Sequence, residues 1–168
     1  MWPRRHLSAR SDATTILFQA VAMTSIRAAR DVDASAIAGL LAQLGYPASV
    51  ASIPSRLARL HTESATVLVA VSEQQGVVGL ASAVSFAAMH TDTPVVYITA
   101  LVIDERVRGQ GIGRAMVVSL EQWARERGCP RLSVTSGEQR HEAHSFYSQC
   151  GFPYTGRRFT KALDAPAS

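Results

Sequence analysis

Residues 108–114 read Arg-Gly-Gln-Gly-Ile-Gly-Arg. They follow the apolar run Val95–Ile103 and open a helical pattern. A strand that passes through glycines into a helix N-terminus suits an anion. The first amides of a helix have no intrahelical acceptor, and the macrodipole adds partial positive charge at that end. Glycine lets the backbone approach a phosphate with no Cβ in the way. Arg108 and Arg114 flank the turn and can add full charges. The expected ligand group is a phosphate or diphosphate.

Three glycine motifs compete for this stretch. A P-loop needs Lys-Ser/Thr after its last glycine, but Gly113 is followed by Arg114 and Ala115. A dinucleotide fold needs G-x-G-x-x-G close to the strand end, with an acid about 20 residues later. Here the spacing is G-x-G-x-G, and mostly charged residues, Asp104–Arg108, separate strand from glycine. The third option is Q/R-x-x-G-x-G/A between a strand and a helix, and Arg108-Gly-Gln-Gly111-Ile-Gly113 fits it. On this signature the chain resembles the GCN5-related N-acetyltransferases, from about Ser25 to Leu163.

Several elements must position that turn. Val95–Ile103 is apolar or aromatic except at Thr99, which predicts a central strand buried on both faces. Ile112, Met116, Leu120 and Trp123 draw one apolar stripe along the following helix, which Gly128 and Pro130 close. Upstream, Ser25–Ala29 reads as a strand. Asp31 or Asp33 caps a helix through Ile37, Leu40, Leu41 and Leu44, and Gly45 ends it. A second helix covers about Ser52 to His61, with Pro54 tolerable in its first turn. Thr66–Ser72 and Val77–Ala88 read as strands joined by a turn at Glu73–Gly76. His90, Asp92 and Pro94 form a loop before the central strand. Arg131–Thr135 is a further strand. Ser136 and Gln139 have capping-box spacing for a last helix that stops at Gly151, and Tyr154–Leu163 gives closing strands. The pattern predicts an α/β (α+β) fold, with a mixed, mostly antiparallel sheet of six to seven strands and helices on both faces.

Composition fits one domain with a real core, residues 23–168. Residues 1–22 are poorly patterned and read as a disordered extension, or as the product of an upstream start with Met23 the natural one. They carry +2 of the net charge of +4, so the remainder is close to neutral and gives no basic run for nucleic acid. No apolar run is long enough to span a membrane. Cys129 and Cys150 are two isolated thiols with no secretory signal, which places the expected setting in the cytoplasm. His141-x-x-His144 lacks the spacing of a zinc peptidase and has no evident third ligand, so no metal is expected.

The resemblance adds a mechanism to these expectations. Acyl transfer from a thioester needs a neutral amine, two substrates held together, donors for the oxyanion and a proton for the thiolate. In the proteins this chain resembles, acetyl-coenzyme A is the donor, and its pantetheine arm fills a gap beside the central strand. The resemblance therefore implies that backbone groups of Leu101, Val102 and Ile103 pair with pantetheine, and that an amide at Val102 or Ile103 polarises the thioester carbonyl. It implies that the amides of Arg108, Gly109, Gln110, Gly111, Ile112, Gly113 and Arg114 hold the diphosphate. Ala143-x-x-Phe146-Tyr147-x-x-x-Gly151-Phe152 matches the family's second signature and makes Tyr147 the general acid. Tyr46 and Pro47 would line the acceptor site.

Two departures stand out. Arg140 occupies a position where the family often has asparagine. Tyr97 and Thr99 stand where many members carry a glutamate base. The base is left among Asp104, Glu138, His141, His144 and a water relay. Arg140–Tyr147, together with Arg158-Phe-Thr-Lys-Ala-Leu163, resembles aminoalkylphosphonate N-acetyltransferases, and Arg140, Arg158 or Lys161 would suit an anionic acceptor. The expected partners are acetyl-coenzyme A and a small-molecule primary amine. By analogy with the family, a homodimer through the closing strands is also expected. Acetylation of a protein or peptide amine, or a coenzyme A-binding regulatory module without turnover, are the alternatives.

Overall fold

The computed structural model describes residues 23–161, so residues 1–22 and the end of the closing segment at Ala162 and Leu163 lie outside the described residues. The described chain falls into two compact units that divide between Val134 and Thr135.

The first unit is a five-stranded sheet in sequential order: β1 (Thr24–Ala28), β2 (Ala65–Ser72), β3 (Gly76–Phe86), β4 (Val95–Ile103) and β5 (Leu132–Val134). The first four strands pair antiparallel, and β4 pairs with β5 in parallel. Between β1 and β2 lie α1 (Ala34–Leu44) and α2 (Ile53–Leu60), and α3 (Ile112–Arg125) makes the crossover from β4 to β5. No described helix is long and apolar enough to cross a membrane.

Side-chain alternation sorts the sheet into two faces. Val69, Leu80 and Val102 stand opposite one another in register. They join Ile37, Leu40, Ile53 and Leu57 of α1 and α2 in one buried cluster. The neighbouring row, Ala70, Gly79 and Ile103, points the other way, toward α3. A Cβ on Gly79 would come within 2.9 Å of Met116 Sδ and of Ile103 Cδ1, so glycine is what allows α3 to sit this close. Met116 and Leu120 of the predicted stripe are wholly buried. Burying each such side chain contributes about 1.5–3 kcal/mol.

The N-terminal helix pair is fixed by Asp33. Its carboxylate takes a two-pronged contact from Arg27 at 2.7 and 2.8 Å, and the amide of Arg30 donates to it at 2.8 Å. The residue therefore caps a single 3-10 turn, Asp31–Asp33, ahead of α1. Arg27 holds the Asp33 carboxyl below the usual carboxylate range. Gly45 ends α1 in the left-handed region, at φ 92°.

Three expectations are corrected. β4 buries side chains on both faces, Val102 toward α1 and α2 and Ile98 on the face of Gly79, but it is not buried throughout: Thr99 is exposed. Thr99 is the bulge residue of β4 and the first residue past β5, whose last residue pairs with Ile98. In the second unit, the last helix, α4 (His141–Gln149), starts later than Ser136. Arg140 closes a turn on the Gly137 carbonyl at 3.0 Å, and the hydroxyl of Ser136 is buried with no hydrogen-bond partner, so the capping box does not form. Finally, residues 154–161 carry no strand, and the described sheet has five strands rather than six to seven. These residues are exposed throughout, including Tyr154 and Phe159, so no buried face sets a strand register.

The close approach at Gly79 gives a direct test. Gly79→Val should lower stability to chemical denaturation by about 1–3 kcal/mol, because Met116 and Ile103 cannot both keep their rotamers. An unchanged denaturation midpoint would show that the α3 face is loosely packed.

Candidate active site

The open side of β4 is the central feature of the first unit. β5 pairs only with Val96, Tyr97 and Ile98, while β4 continues to Ile103. Thr99–Ile103 thus runs past its last neighbour on that edge. Which backbone groups face the gap follows from the other edge. The Asp104 amide donates to the Val78 carbonyl at 2.8 Å, and Leu80 stands opposite Val102. Amides alternate between the two edges of a strand. The Val102 amide therefore points at β3, and those of Leu101 and Ile103 point into the gap. This corrects the expectation that Val102 offers an amide there; its side chain is buried against α1 and α2.

The gap leads into the glycine turn. Arg108 folds back so that its Nε donates to the Ile103 carbonyl at 3.1 Å, on the open edge. Gly109 and Gly111 have φ of 76° and 81°, a left-handed backbone that disfavours a Cβ. Gly111 is the N-cap residue of α3, so Ile112, Gly113 and Arg114 form its first turn. Their amides belong to the first turn of a helix, whose N–H groups have no intrahelical acceptor, and they follow directly from the gap in β4. This arrangement can hold a diphosphate at the turn and an extended, amide-bearing arm along the strand edge.

Asp104 fixes the turn in place. Its carboxylate accepts from the Arg106 amide at 3.0 Å and from the Arg106 guanidinium at 3.0 and 2.7 Å. Those contacts pull the Asp104 carboxyl down to about 2. A carboxylate so weakly basic and so fully engaged is a poor acceptor for an amine proton, which removes Asp104 from the candidate bases. A second anchor is invisible in sequence: Gln43, on α1, accepts from the Glu105 amide at 3.1 Å. A lone glutamine near a helix end carries no motif that could have revealed this link.

A second missed feature is a bulge in β4. The register steps from Ser82 opposite Ala100 to Ala83 opposite Ile98, leaving Thr99 without a cross-strand partner. Its hydroxyl lies 2.6 Å from that of Ser82. The one polar residue in an apolar run was the available signal.

The second unit holds the remaining predicted residues. Tyr147 sits half-buried on α4, its ring packing edge-on against Phe146 and Phe152 at centroid distances of 5.3 and 5.6 Å. The Phe152 amide donates to the Tyr147 carbonyl, and Gly151 takes φ 86° to allow it. His144 Nε2 lies 2.9 Å from the Gly137 carbonyl. A carbonyl only accepts, so that nitrogen carries the proton. Arg158 Nη1 donates to Thr135 Oγ1 at 3.1 Å. Glu138, His141 and Lys161 are exposed. The His141 and His144 rings stand edge to face, 6.1 Å apart. Among the described residues, no three His, Cys, Asp or Glu side chains gather in a way that could hold a metal ion.

Comparison with known proteins decides the family. The model of the acetyltransferase (GNAT) family matches residues 37–152, well over half of the chain. The chain belongs to this family. Among curated GNAT relatives, the peptidyl-lysine N-acetyltransferase YjaB of Escherichia coli is 34% identical over 110 residues, covering 66% of this chain and 65% of that protein. The aminoalkylphosphonate N-acetyltransferase of Salmonella typhimurium is 36% identical over 66 residues, or 39% of this chain and 43% of that one. An aminoglycoside N(6')-acetyltransferase of Stenotrophomonas maltophilia is 31% identical over 65 residues, or 39% and 42%. The matches thus span from about two fifths to just under two thirds of these relatives. A transcriptional regulator from Bacillus halodurans superposes with a TM-score of 0.75 at 25% identity, covering 83% of this chain and 99% of that one. The same fold at 16% identity, with a TM-score of 0.73 and coverage of 84% and 99%, occurs in AAC(6')-Iy, solved with a bisubstrate analogue, CoA-S-monomethyl-acetylneamine.

The Asp104 clamp has a pH signature. A carboxyl whose folded value is about 2 and whose unfolded value is near 4 stabilises the fold fully above about pH 4, and that stability is lost as pH falls toward 2. Asp104→Asn should cost about 1–2 kcal/mol at pH 7 and flatten the acid limb of a thermal-melt series between pH 4 and 2. An acid limb as steep as that of the wild type would show that the clamp adds nothing.

Proposed function

We propose that the chain is an acetyl-coenzyme A-dependent N-acetyltransferase acting on a primary amine of a small molecule, in a ternary complex. The observation that carries this reading is the open edge of β4 running directly into the glycine turn and the start of α3. In the proposal, the amides of Arg108–Arg114 hold the diphosphate, and the Arg108 side chain adds charge. The Leu101 and Ile103 amides take the pantetheine arm, with one of them polarising the thioester carbonyl. The neutral amine attacks the carbonyl carbon, and negative charge collects on its oxygen. The C–S bond then breaks, the thiolate takes the proton of the Tyr147 hydroxyl, the amine nitrogen releases a proton to water, and the tyrosinate regains a proton from water. An ordinary tyrosine, with pKa near 10, is matched to protonating a thiolate. Residues 23–168 act as a single transferase domain in this account.

The family relatives acetylate, by their names, aminoglycosides, aminoalkylphosphonates and peptidyl lysine. A peptide lysine is therefore the second reading, supported by the match to YjaB over 110 residues. Arg140, Arg158 and Lys161 would favour an anionic small acceptor instead.

Thiol release from acetyl-coenzyme A across aminoalkylphosphonates, aminoglycosides, polyamines, amino acids and lysine peptides tests this. We expect transfer to one class of small amine, with Tyr147→Phe lowering kcat by about 10- to 1000-fold and leaving the Kd for acetyl-coenzyme A within a few-fold. Tight binding of acetyl-coenzyme A with no transfer to any amine would instead identify a coenzyme A-binding module. Separately, Gly111→Val should raise the Kd for coenzyme A at least about 10-fold, since a β-branched residue resists φ of 81°. An unchanged Kd would move the diphosphate away from this turn.

A further inference from the structure

Thr99 is the one exposed residue of β4, whose other residues are buried or half-buried. It is the bulge residue, and it is the first residue beyond the last β5 pair. Its hydroxyl is held 2.6 Å from that of Ser82, which is only 8% exposed. Ser82 stands opposite Val67 and two residues beyond Leu80, so the bond places the Thr99 hydroxyl on the sheet face that α1 and α2 cover elsewhere. The Ser82–Thr99 hydroxyl pair is part-buried, while Thr99 as a whole residue is exposed.

This position has a chemical meaning if the donor lies as proposed above, and the inference rests on that reading. With the diphosphate at the glycine turn, the arm runs back along the open edge from Ile103, and its acyl end faces the Thr99 end of the gap. Thr99 lies two residues, roughly 7 Å, beyond Leu101. A nucleophile approaching the carbonyl from the α1 face would meet the Thr99 hydroxyl first. Whichever hydroxyl donates in the Ser82–Thr99 pair, one lone pair of Thr99 Oγ1 stays available to an N–H. We infer that Thr99 Oγ1 accepts a hydrogen bond from the acceptor amine, aiming the nitrogen lone pair at the thioester carbon, and that Ser82 is the positioning residue that fixes the rotamer of Thr99. No proton passes to Thr99; it orients the nucleophile and is not the base.

Partition between amine and water isolates this role. Each protein is assayed for transfer to the wild type's best amine and for amine-independent hydrolysis of acetyl-coenzyme A. Thr99→Val, which keeps the shape and removes the hydroxyl, should lower kcat/KM for the amine by about 10- to 100-fold, leaving hydrolysis and the Kd for acetyl-coenzyme A within about twofold. Thr99→Ser should stay within about fivefold of wild type, because the hydroxyl is retained, and Ser82→Ala should fall between the two. Equal losses of transfer and hydrolysis, or a fully active Thr99→Val, would overturn the inference while leaving the transferase reading intact. A wild type that binds acetyl-coenzyme A but acetylates no amine would overturn both.

Discussion

Backbone amides inside a sheet must find partners, and β4 extends five residues, Thr99–Ile103, past the last residue that β5 can satisfy. That shortfall governs much of what is distinctive in the first unit. A longer β5 would close the edge and leave no room for a ligand strand. With β5 ending at Val134, the Leu101 and Ile103 amides face a gap, and the Ile103 carbonyl takes its partner from the Arg108 side chain. The open edge thus carries the polarity of a strand that lacks its neighbour.

The surrounding structure keeps the gap open and in line with the glycine turn. On one face, α3 packs close over Gly79 through Met116. At the turn, Asp104 holds Arg106, while Gln43 reaches from α1 to the Glu105 amide. The end of β4, the glycine turn and the end of α1 are therefore joined by directional bonds rather than by apolar packing alone. The Arg27–Asp33 pair anchors the other end of α1. Side chains far from the strand edge thereby help set the geometry along which a thioester would lie.

Much of this was legible in the sequence. The run from Val95 to Ile103 matches β4 to the residue, because a β-branched, apolar stretch ahead of a charged turn has few other readings. The glycine turn and the stripe of α3 were equally clear, since φ above zero and a four-residue period leave direct marks. What the sequence obscured depended on pairing partners. The length of β5 is set by register rather than by composition, so Arg131 and Thr135 looked like strand residues but fall outside it. The edge that each amide faces follows from the β3 ladder, which is why Val102 looked equivalent to Ile103. The Ser136–Gln139 capping pattern lost to a turn closed on Gly137. The exposed closing segment had strand-forming residues but no buried face to order them.

Residue-resolved amide hydrogen exchange at Leu101, Val102 and Ile103, with and without acetyl-coenzyme A, tests the central claim most directly. The account predicts that the Leu101 and Ile103 amides exchange quickly in the free protein and become strongly protected when acetyl-coenzyme A is added. The Val102 amide, paired with β3, should be slow in both states. Slow exchange at Leu101 and Ile103 in the free protein, or no change in their protection on adding acetyl-coenzyme A, would contradict it.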